Sequence, residues 1–388
     1  MKYQSGVTFI LFLFFTISAL AQQRVSGIVV EKGSAVPVAF ATVQAPGIKN
    51  TLTNINGEFE INLPELPAQV KFSHLNYQDM TVRLTKPDAQ VKVELTARTL
   101  LLREVNIGNP ATAIMQAVAD KALQQYDHSN YGKAFLRQIA YDQDKPTYMN
   151  EIFLNAEWKP YGLVAWKPTQ ARHLKAASGV SYTNTSFFSF ILSGYLANSI
   201  HKKPVLRKVD SLYTFKLAGS YDQEGQEIAK ITCTPKPKLK GLRFQGTYYV
   251  NTVTNNVVKI EGTLLALRFK GGGPVGIKNK ETTFIAQYRV NDAGYTVLDY
   301  SIFNTSNTIN LMGFGLQQTD LYSTLYMTDD DHIDKNELKE VSGDIDDSSL
   351  VKAMNFDAAF WKNNPGIKRT VKEQAAIDIL EKTSPIKK

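Results

Sequence analysis

Short runs of alternating apolar and polar residues fill the first hundred positions of the chain. β-Branched and aromatic residues are frequent in these runs, and Pro, Gly and Asn separate them. The pair Asn56-Gly57 suits a tight hairpin, because both residues tolerate a positive φ. Several runs within about 75 residues, with no helical period between them, predict a small antiparallel β-sandwich over residues 22–98. The predicted strands are 25–31, 40–43, 57–63, 70–72, 80–84 and 91–95.

Four of these segments carry a recognisable pattern: VSGIV at 25–29, PVAFATV at 37–43, TNINGEF at 53–59 and FSHLNY at 72–77. Together they resemble the carboxypeptidase-like regulatory domain, although Asn76 stands where that family commonly has Gly. The resemblance implies a transthyretin-like β-sandwich, which in exported proteins of the Bacteroidota type commonly precedes another domain and carries no peptidase site. The following LLLREVNIG at 100–108 is similar to the stretch that closes this domain in relatives, and we interpret residues 99–108 as a linker.

A helical period appears next. Pro110 suits the first position of a helix that Asn109 would cap, and one apolar stripe predicts a helix over 110–126. The stripe consists of Ile114, Met115, Val118, Ala122 and Tyr126.

Alternation returns over residues 133–330, where turn sequences separate eight strand-like runs. This pattern predicts a long, curved antiparallel sheet with the helix on one face, so we expect an α+β sheet domain at 109–347. Aromatic and basic residues interrupt the pattern at 161–205, which we interpret as an insertion with a short buried helix around 187–200.

The C-terminal part of the chain changes character. Nine acidic residues and two lysines lie between Asp329 and Asp347. We expect residues 348–388 to form C-terminal helices docked on the sheet domain. Apolar positions predict these helices over 350–361 and 371–380, with Phe356, Phe360 and Trp361 as anchors. Thr370 and Glu373 fit a capping box.

Residues 109–388 also resemble, less specifically, an uncharacterised β-rich domain that often follows the regulatory module. The similarity lies in the helix opening at 109–111, the strand pair around 246–262, and Phe360-Trp361 followed by Thr370 and Glu373. The strand pair is also similar to lipoprotein-carrier folds, half-barrels that shelter acyl chains.

The first 21 residues have the pattern of a targeting signal. Lys2 precedes an apolar run at 7–20, and Ala19-Leu20-Ala21 fits a cleavage site, so we expect a signal peptide at 1–21. The apolar run is shorter than the roughly 20 residues of a membrane-spanning helix. No later run is long and apolar enough to span. We therefore predict an exported protein, in the periplasm or associated with the outer membrane, with no transmembrane span in the mature chain.

Composition excludes several functional classes. The chain has 388 residues, 43% of them hydrophobic, and a net charge of +8, as expected of globular domains. A single cysteine, Cys233, excludes an intramolecular disulfide and a multi-cysteine metal site. Export makes nucleic acid the least plausible partner.

No motif of catalysis is recognisable. No histidine has Glu three residues later, so the ligands of a zinc carboxypeptidase are missing, and there is no Gly-x-Ser-x-Gly elbow. The acidic run from Asp329 fails the EF-hand spacing, because Ile333 and Asp334 stand at its fifth and sixth positions. We predict no cofactor, no metal site and a non-enzymatic protein, with an envelope hydrolase of unidentified catalytic carboxylates as one alternative.

The candidate binding residues are basic and aromatic. Residues 201–280 hold fifteen Lys and Arg against five Asp and Glu, a stripe that would suit anionic lipid, phosphate or glycan carboxylates, or the protein's own acidic segment. We therefore expect a module that binds an envelope lipid or glycan, or docks on an outer-membrane protein. An accessory structural subunit of an outer-membrane complex is the other alternative. The candidate ligand-binding residues are Tyr161, Trp166, Phe187, Phe188, Tyr195, Lys236, Lys238, Lys240 and Arg243, although core packing also explains each aromatic.

Overall fold

The structure, a computed structural model, describes most of the chain. The predicted signal peptide lies outside the described residues, as do residues 100–108 of the predicted linker. Two compact units divide between Ala97 and Arg98. The described residues are 23–47, 50–87, 90–99, 110–177, 184, 186–196, 205, 207–268, 276–311, 315–329, 333–364 and 366–383.

The N-terminal unit consists of two small sheets, which confirms the predicted sandwich-like β fold. Its strands are β1 (Gln23–Glu31), β2 (Thr42–Gln44), β3 (Thr51–Leu52), β4 (Glu58–Leu63), β5 (Ala68–Ser73), β6 (Met80–Leu84) and β7 (Gln90–Leu95). One sheet has the order β4-β1-β7 and the other β3-β2-β5-β6. Strands β1 and β7 run parallel, unlike the antiparallel pairing predicted, because the chain returns from the second sheet before it reaches β7.

Aromatic packing joins these two sheets. Phe59 on β4 and Phe72 on β5 are fully buried, and their rings meet edge to face with centroids 5.1 Å apart. Such pairs contribute about 0.5–1.5 kcal/mol beyond the burial of their area.

Asn56-Gly57 lies in a turn between β3 and β4, which belong to different sheets. The predicted hairpin is therefore corrected to a connection between the sheets. Of the two residues, Gly57 alone has a positive φ (73°), and a side chain there would place Cβ 2.4 Å from the Val29 carbonyl oxygen. Glycine is required at this position by both conformation and space.

The C-terminal unit is built on one eleven-stranded sheet. Its first strands are β8 (Asn130–Asp142), β9 (Lys145–Lys159), β10 (Gly162–Lys175), β11 (Tyr213–Gln223), β12 (Gln226–Pro235) and β13 (Arg243–Asn251). The others are β14 (Asn256–Leu265), β15 (Gly276–Val290), β16 (Thr296–Leu311), β17 (Gly315–Asp329) and β18 (Lys339–Glu340). The helices are α1 (Pro110–Gln124), α2 (Ser186–Leu192), α3 (Asp347–Lys352), α4 (Ala358–Asn363) and α5 (Val371–Thr383).

The sheet order is β11-β12-β13-β14-β15-β16-β17-β8-β9-β10-β18, and every pair is antiparallel. Strand β10 lies inside the predicted insertion at 161–205, which is corrected to begin after Lys175. The aromatic and basic residues that suggested an insertion are the two faces of this strand. Trp166 is buried, whereas its neighbour Lys167 reaches solvent.

The sheet curves strongly, as predicted. Strands β9 and β15 are four positions apart in it, which is about 19 Å in a flat sheet. Nevertheless, the rings of Trp158 on β9 and Tyr288 on β15 have centroids only 6.1 Å apart. Their side chains therefore meet across a concave face.

Helices of the same unit fill this concave face. Phe190 of α2 packs on Trp166 of β10 (5.2 Å), and Phe188 stacks on Phe303 of β16 (6.0 Å). Helix α1 begins at Pro110 as predicted and buries Met115, with Val118 and Ala122, in the same core. Helix α2 ends at Leu192, earlier than predicted, and the amides of Tyr195 and Leu196 then bond to the Pro160 carbonyl oxygen.

The C-terminal segment covers part of the opposite, convex face. Ala376, Ile377 and Leu380 of α5 pack against Met149 and Leu174 of the sheet. The predicted capping box is present: the Thr370 amide donates to Glu373 (2.7 Å), and the Glu373 amide donates to the Thr370 hydroxyl (3.1 Å). The single helix predicted at 350–361 is two helices, α3 and α4, because Asp357 adopts an extended conformation and caps α4.

Candidate functional site

The predicted aromatic residues lie mainly in the core. Trp166 is 4% exposed and Tyr195 3% exposed, so both pack as core residues and not on a ligand-facing surface. Tyr195 contacts the rings of Tyr288 (5.2 Å) and Trp158 (6.1 Å), and burial raises its pKa. Phe187 is half-buried beside Phe188.

Tyr161 lies at the turn between β9 and β10. It is half-buried, and its ring lies 4.8 Å from the ring of Tyr126 at the end of α1. Burial raises the pKa of the Tyr161 hydroxyl. The hydroxyl therefore stays protonated at neutral pH.

The predicted basic residues lie together. Lys236, Lys238 and Lys240 are exposed and Arg243 is half-buried, all on the loop between β12 and β13 or at its end. We call residues 236–243 the basic turn. Leu239, 9% exposed, anchors the turn in the core, while neighbouring lysines point to solvent.

Hydrogen bonds fix the basic turn. The Lys236 amide donates to the Leu212 carbonyl oxygen (2.9 Å), and the Leu239 amide donates to the Lys236 carbonyl oxygen (2.9 Å). The Lys236 Nζ donates to the Asp210 carbonyl oxygen, and the Arg243 guanidinium donates to that of Gly241 (2.9 Å). The cationic groups are thus carried on a defined backbone.

Sheet topology adds further cations. In an antiparallel meander, alternate connections lie at the same rim, so the turn after β12 and the connection from β14 to β15 are neighbours. Exposed Arg268 lies in that connection, just after β14, and exposed Lys278 lies near the start of β15. Between Lys236 and Lys280 the sequence has one acidic residue, Glu261, whose carboxylate is engaged by Lys259 and by the Tyr249 hydroxyl.

The acidic segment contacts other parts of the sheet. Glu337 pairs with Lys167 on β10, and Lys335 lies over the ring of Tyr131. The Asp347 carboxylate accepts from the Ser186 amide at the start of α2 (2.9 Å). These described contacts lie at β8, β10 and α2, and none involves the basic turn.

A buried charge cluster, which sequence reasoning missed, lies on the convex face. Glu151 on β9 is fully buried. Its carboxylate receives Arg137 of β8 (2.8 Å), Arg172 of β10 (2.6 Å) and Arg369 (2.7 Å), which lies just before α5. Arg137 also donates to the Ile367 carbonyl oxygen (2.6 Å). The cluster thus ties the C-terminal segment to three strands.

Two opposing effects act on the pKa of Arg137, a buried arginine of this cluster. Burial disfavours the charge of Arg137, but Glu151 and Glu373 outweigh it and raise the pKa of the guanidinium. The Arg172 guanidinium lies over the ring of Trp361, 5.2 Å from its centroid. These contacts are those of an internal lock that holds elements together.

A histidine on the other face has a strongly perturbed titration. His173 Nδ1 lies 2.7 Å from the Asn150 side-chain oxygen. Burial, reinforced by Lys352 and Lys175, lowers the pKa of His173 to about 4. His173 is therefore neutral at pH 7.

The described residues were compared with the requirements of a metal site and of a nucleophilic thiol. Within them, no group of three or more His, Cys, Asp or Glu side chains is placed to hold a metal ion. Cys233 is buried on β12, and burial raises its pKa. Nor does any helix in these ranges have the length and apolar character needed to cross a membrane.

Comparison with protein families bears on the N-terminal unit. Residues 25–107 match the model of the CarboxypepD_reg-like domain. The resemblance to the carboxypeptidase-like regulatory domain is confirmed. Comparison with curated proteins gave no match.

Solved structures give distant likenesses. A DUF1329 family protein from Desulfovibrio piger has 12% identity, covers 57% of this chain and 94% of its own, and has a TM-score of 0.24. A LolA superfamily protein from Nitrosomonas europaea has 13% identity, 57% and 96% coverage, and a TM-score of 0.21. A protein of unknown function from Bacteroides fragilis has 10% identity, 83% and 99% coverage, and a TM-score of 0.16.

Proposed function

We propose that this protein is a non-enzymatic, exported envelope protein whose C-terminal unit docks on an anionic component of the envelope through the basic turn. The observation that supports the proposal most directly is the anchored geometry of residues 236–243, which carries three exposed lysines on a fixed loop. Neighbouring Arg268 and Lys278 extend the same positive rim. A surface of one sign of charge attracts anionic partners over several ångströms.

The ligand chemistry that fits this rim is a phosphate group at a surface. The lysines are compact charges on flexible stems, which suits delocalised attraction to many phosphates better than recognition of one planar group. We propose anionic lipid headgroups as the partner. The regulatory-like domain would then be free to dock on another envelope protein.

The concave face has no part in this proposal. Helix α2 and the rings of Trp158, Tyr195 and Tyr288 occupy it. Docking through the rim needs no opening of that core.

A vesicle experiment tests the proposal. The mature chain is co-sedimented with vesicles of equal parts phosphatidylglycerol and phosphatidylcholine, and with phosphatidylcholine alone. Each basic residue near an anionic surface contributes about 1 kcal/mol, so replacing Lys236, Lys238 and Lys240 by Ala should weaken binding roughly 100-fold. Binding to the neutral vesicles should be weak for every variant.

A matched control separates the basic turn from net charge. The triple variant Lys216→Ala, Lys362→Ala, Lys382→Ala removes three exposed lysines elsewhere in the same unit and should bind nearly as the wild type does. Equal losses in the two triple variants would show that net charge, and not the basic turn, drives binding. Failure of the wild type to bind anionic vesicles would overturn the proposal.

A further inference from the structure

A groove of about 230 Å³ crosses strands β14, β15 and β16. It lies on the convex face: Phe284 and Phe303 of these strands point into the core, so the residues that alternate with them point away from it. The helices that cover the convex face of β8–β10 pack on other strands. The groove is lined by Gly262, Thr263, Thr283, Phe284, Ile285, Ile302 and Asn304.

Three uncharged polar side chains form a row along the groove. Thr263 pairs with Thr283 across β14 and β15, and Thr283 pairs with Asn304 across β15 and β16. All three side chains are half-buried. In the part of the chain that the structure describes, no residue forms a hydrogen bond with these side chains. Two hydroxyls and one amide are thus available to a ligand.

An apolar surface accompanies this row. Ile285 and Ile302 are cross-strand partners in the adjacent row and line the groove. In the polar row itself, the next residue after Asn304 is Tyr322 on β17, whose side chain is 47% exposed. Its ring meets Tyr141 edge to face at 6.0 Å, which fixes its position.

Two carboxylates lie nearest in the register, and neither belongs to the groove lining. Glu281, two residues before Thr283 on the same face of β15, is exposed. Glu261, two residues before Thr263, is engaged by Lys259 and by the Tyr249 hydroxyl. The groove therefore presents no free charge from its lining, in contrast to the basic turn. Its volume is below the roughly 300–1,000 Å³ of sites for drug-sized ligands, so it accommodates a single small unit.

We propose that this groove binds one unit of an uncharged sugar chain. Sugar hydroxyls both donate and accept, as hydroxyl and amide groups require. The C–H face of a sugar ring packs on aliphatic and aromatic surfaces, which half-buried Ile285 and exposed Tyr322 provide. Because the groove lies open on the convex face, the neighbouring units of the chain extend over the sheet. The site is independent of the basic turn and of the function proposed for it.

The test is titration calorimetry on the mature chain with three uncharged trisaccharides: N,N′,N″-triacetylchitotriose, cellotriose and maltotriose. At least one should bind the wild type with a millimolar or lower Kd. Asn304→Ala and Tyr322→Ala should each weaken that binding about 10-fold, since each removes one of the two kinds of contact. Thr308→Ala, on the same face of β16 but outside the groove lining, should leave Kd unchanged.

Several outcomes would overturn the sugar proposal. These are the absence of binding by all three trisaccharides, and unchanged Kd values in both Asn304→Ala and Tyr322→Ala. Thermal unfolding of each variant confirms that it is folded. The Lys236, Lys238, Lys240 triple variant should keep its trisaccharide affinity, so vesicle binding and sugar binding fail or succeed separately.

Discussion

Glu151→Gln is the sharpest test of what holds the C-terminal segment on the sheet. The substitution keeps the shape of the side chain and removes its negative charge. Three guanidinium groups, from Arg137, Arg172 and Arg369, then face a neutral amide in a buried place. The NH₂ group of the glutamine side chain is also a hydrogen-bond donor, and it would face guanidinium groups that are themselves donors.

The expected loss follows from the burial of the cluster. Glu151 is fully buried and Arg137 and Arg172 have side chains only 5% and 9% exposed, so water cannot replace the lost charge. Removing one partner of a buried ion pair costs about 3–5 kcal/mol of unfolding free energy. Arg369→Ala should cost less, about 1.5–3 kcal/mol, because Arg369 is partly exposed and the other two arginines keep their partner.

Tryptophan fluorescence during urea unfolding measures these changes in one unit alone. The three tryptophans, Trp158, Trp166 and Trp361, all lie in the C-terminal unit. As a control, Glu381→Gln removes a carboxylate that is 42% exposed and 3.7 Å from Arg172, so its cost should stay below about 1 kcal/mol. If Glu151→Gln lost no more free energy of unfolding than this control, the cluster would not be the lock described above.

Three further predictions concern single residues. Because the pKa of His173 is lowered from 6.5 to about 4, the unfolded chain binds more protons between these values. The unfolding free energy should therefore fall as the pH is lowered from 6.5 to 4, by at most about 3 kcal/mol and by less to the extent that solvent reaches the ring. In His173→Gln this part of the pH dependence should vanish, and an unchanged profile would assign it to another group. Gly57→Val should destabilise the N-terminal unit by several kcal/mol through its positive φ and the clash with Val29, as seen by hydrogen exchange of that unit; wild-type protection would contradict this. Gly366→Ala should lower the melting temperature measured by tryptophan fluorescence, since its Cβ would lie 2.6 Å from the Phe135 ring at a φ of 67°; an equal or higher melting temperature would refute the steric reasoning.

Local sequence signals anticipated much of the fold. Alternation identified most strands of both units, Pro110 marked the start of α1, and Thr370 with Glu373 marked the start of α5. Each of these signals depends on residues a few positions apart. The prediction of an insertion at 161–205 was wrong over β10. Trp166 and Lys167 looked irregular there, but a strand with one buried and one solvated face carries both residue types.

The sites depend on information that local pattern does not contain. Arg369 meets Glu151 across 218 positions of the chain, and Thr263, Thr283 and Asn304 become neighbours only through the register of three strands. Alternation predicts which residues share a face, but not which residue lies opposite another. The basic turn was accessible from sequence because its lysines lie within one loop.

The sheet order also constrains how the protein folds. Strand β8 pairs with β17, and the register joins Lys133 to Asp329, so the two strands meet only after nearly 200 intervening residues have emerged. Pairing of strands so far apart in the sequence is slow, because the entropy of closing the long loop must be overcome before the contacts form, and β8 waits for its partner meanwhile. During that time β8, β9 and β10 form a small sheet with an open edge, which attracts other strands. A holding chaperone that shields this edge would therefore raise the yield of folded protein more than one that acts on the N-terminal unit.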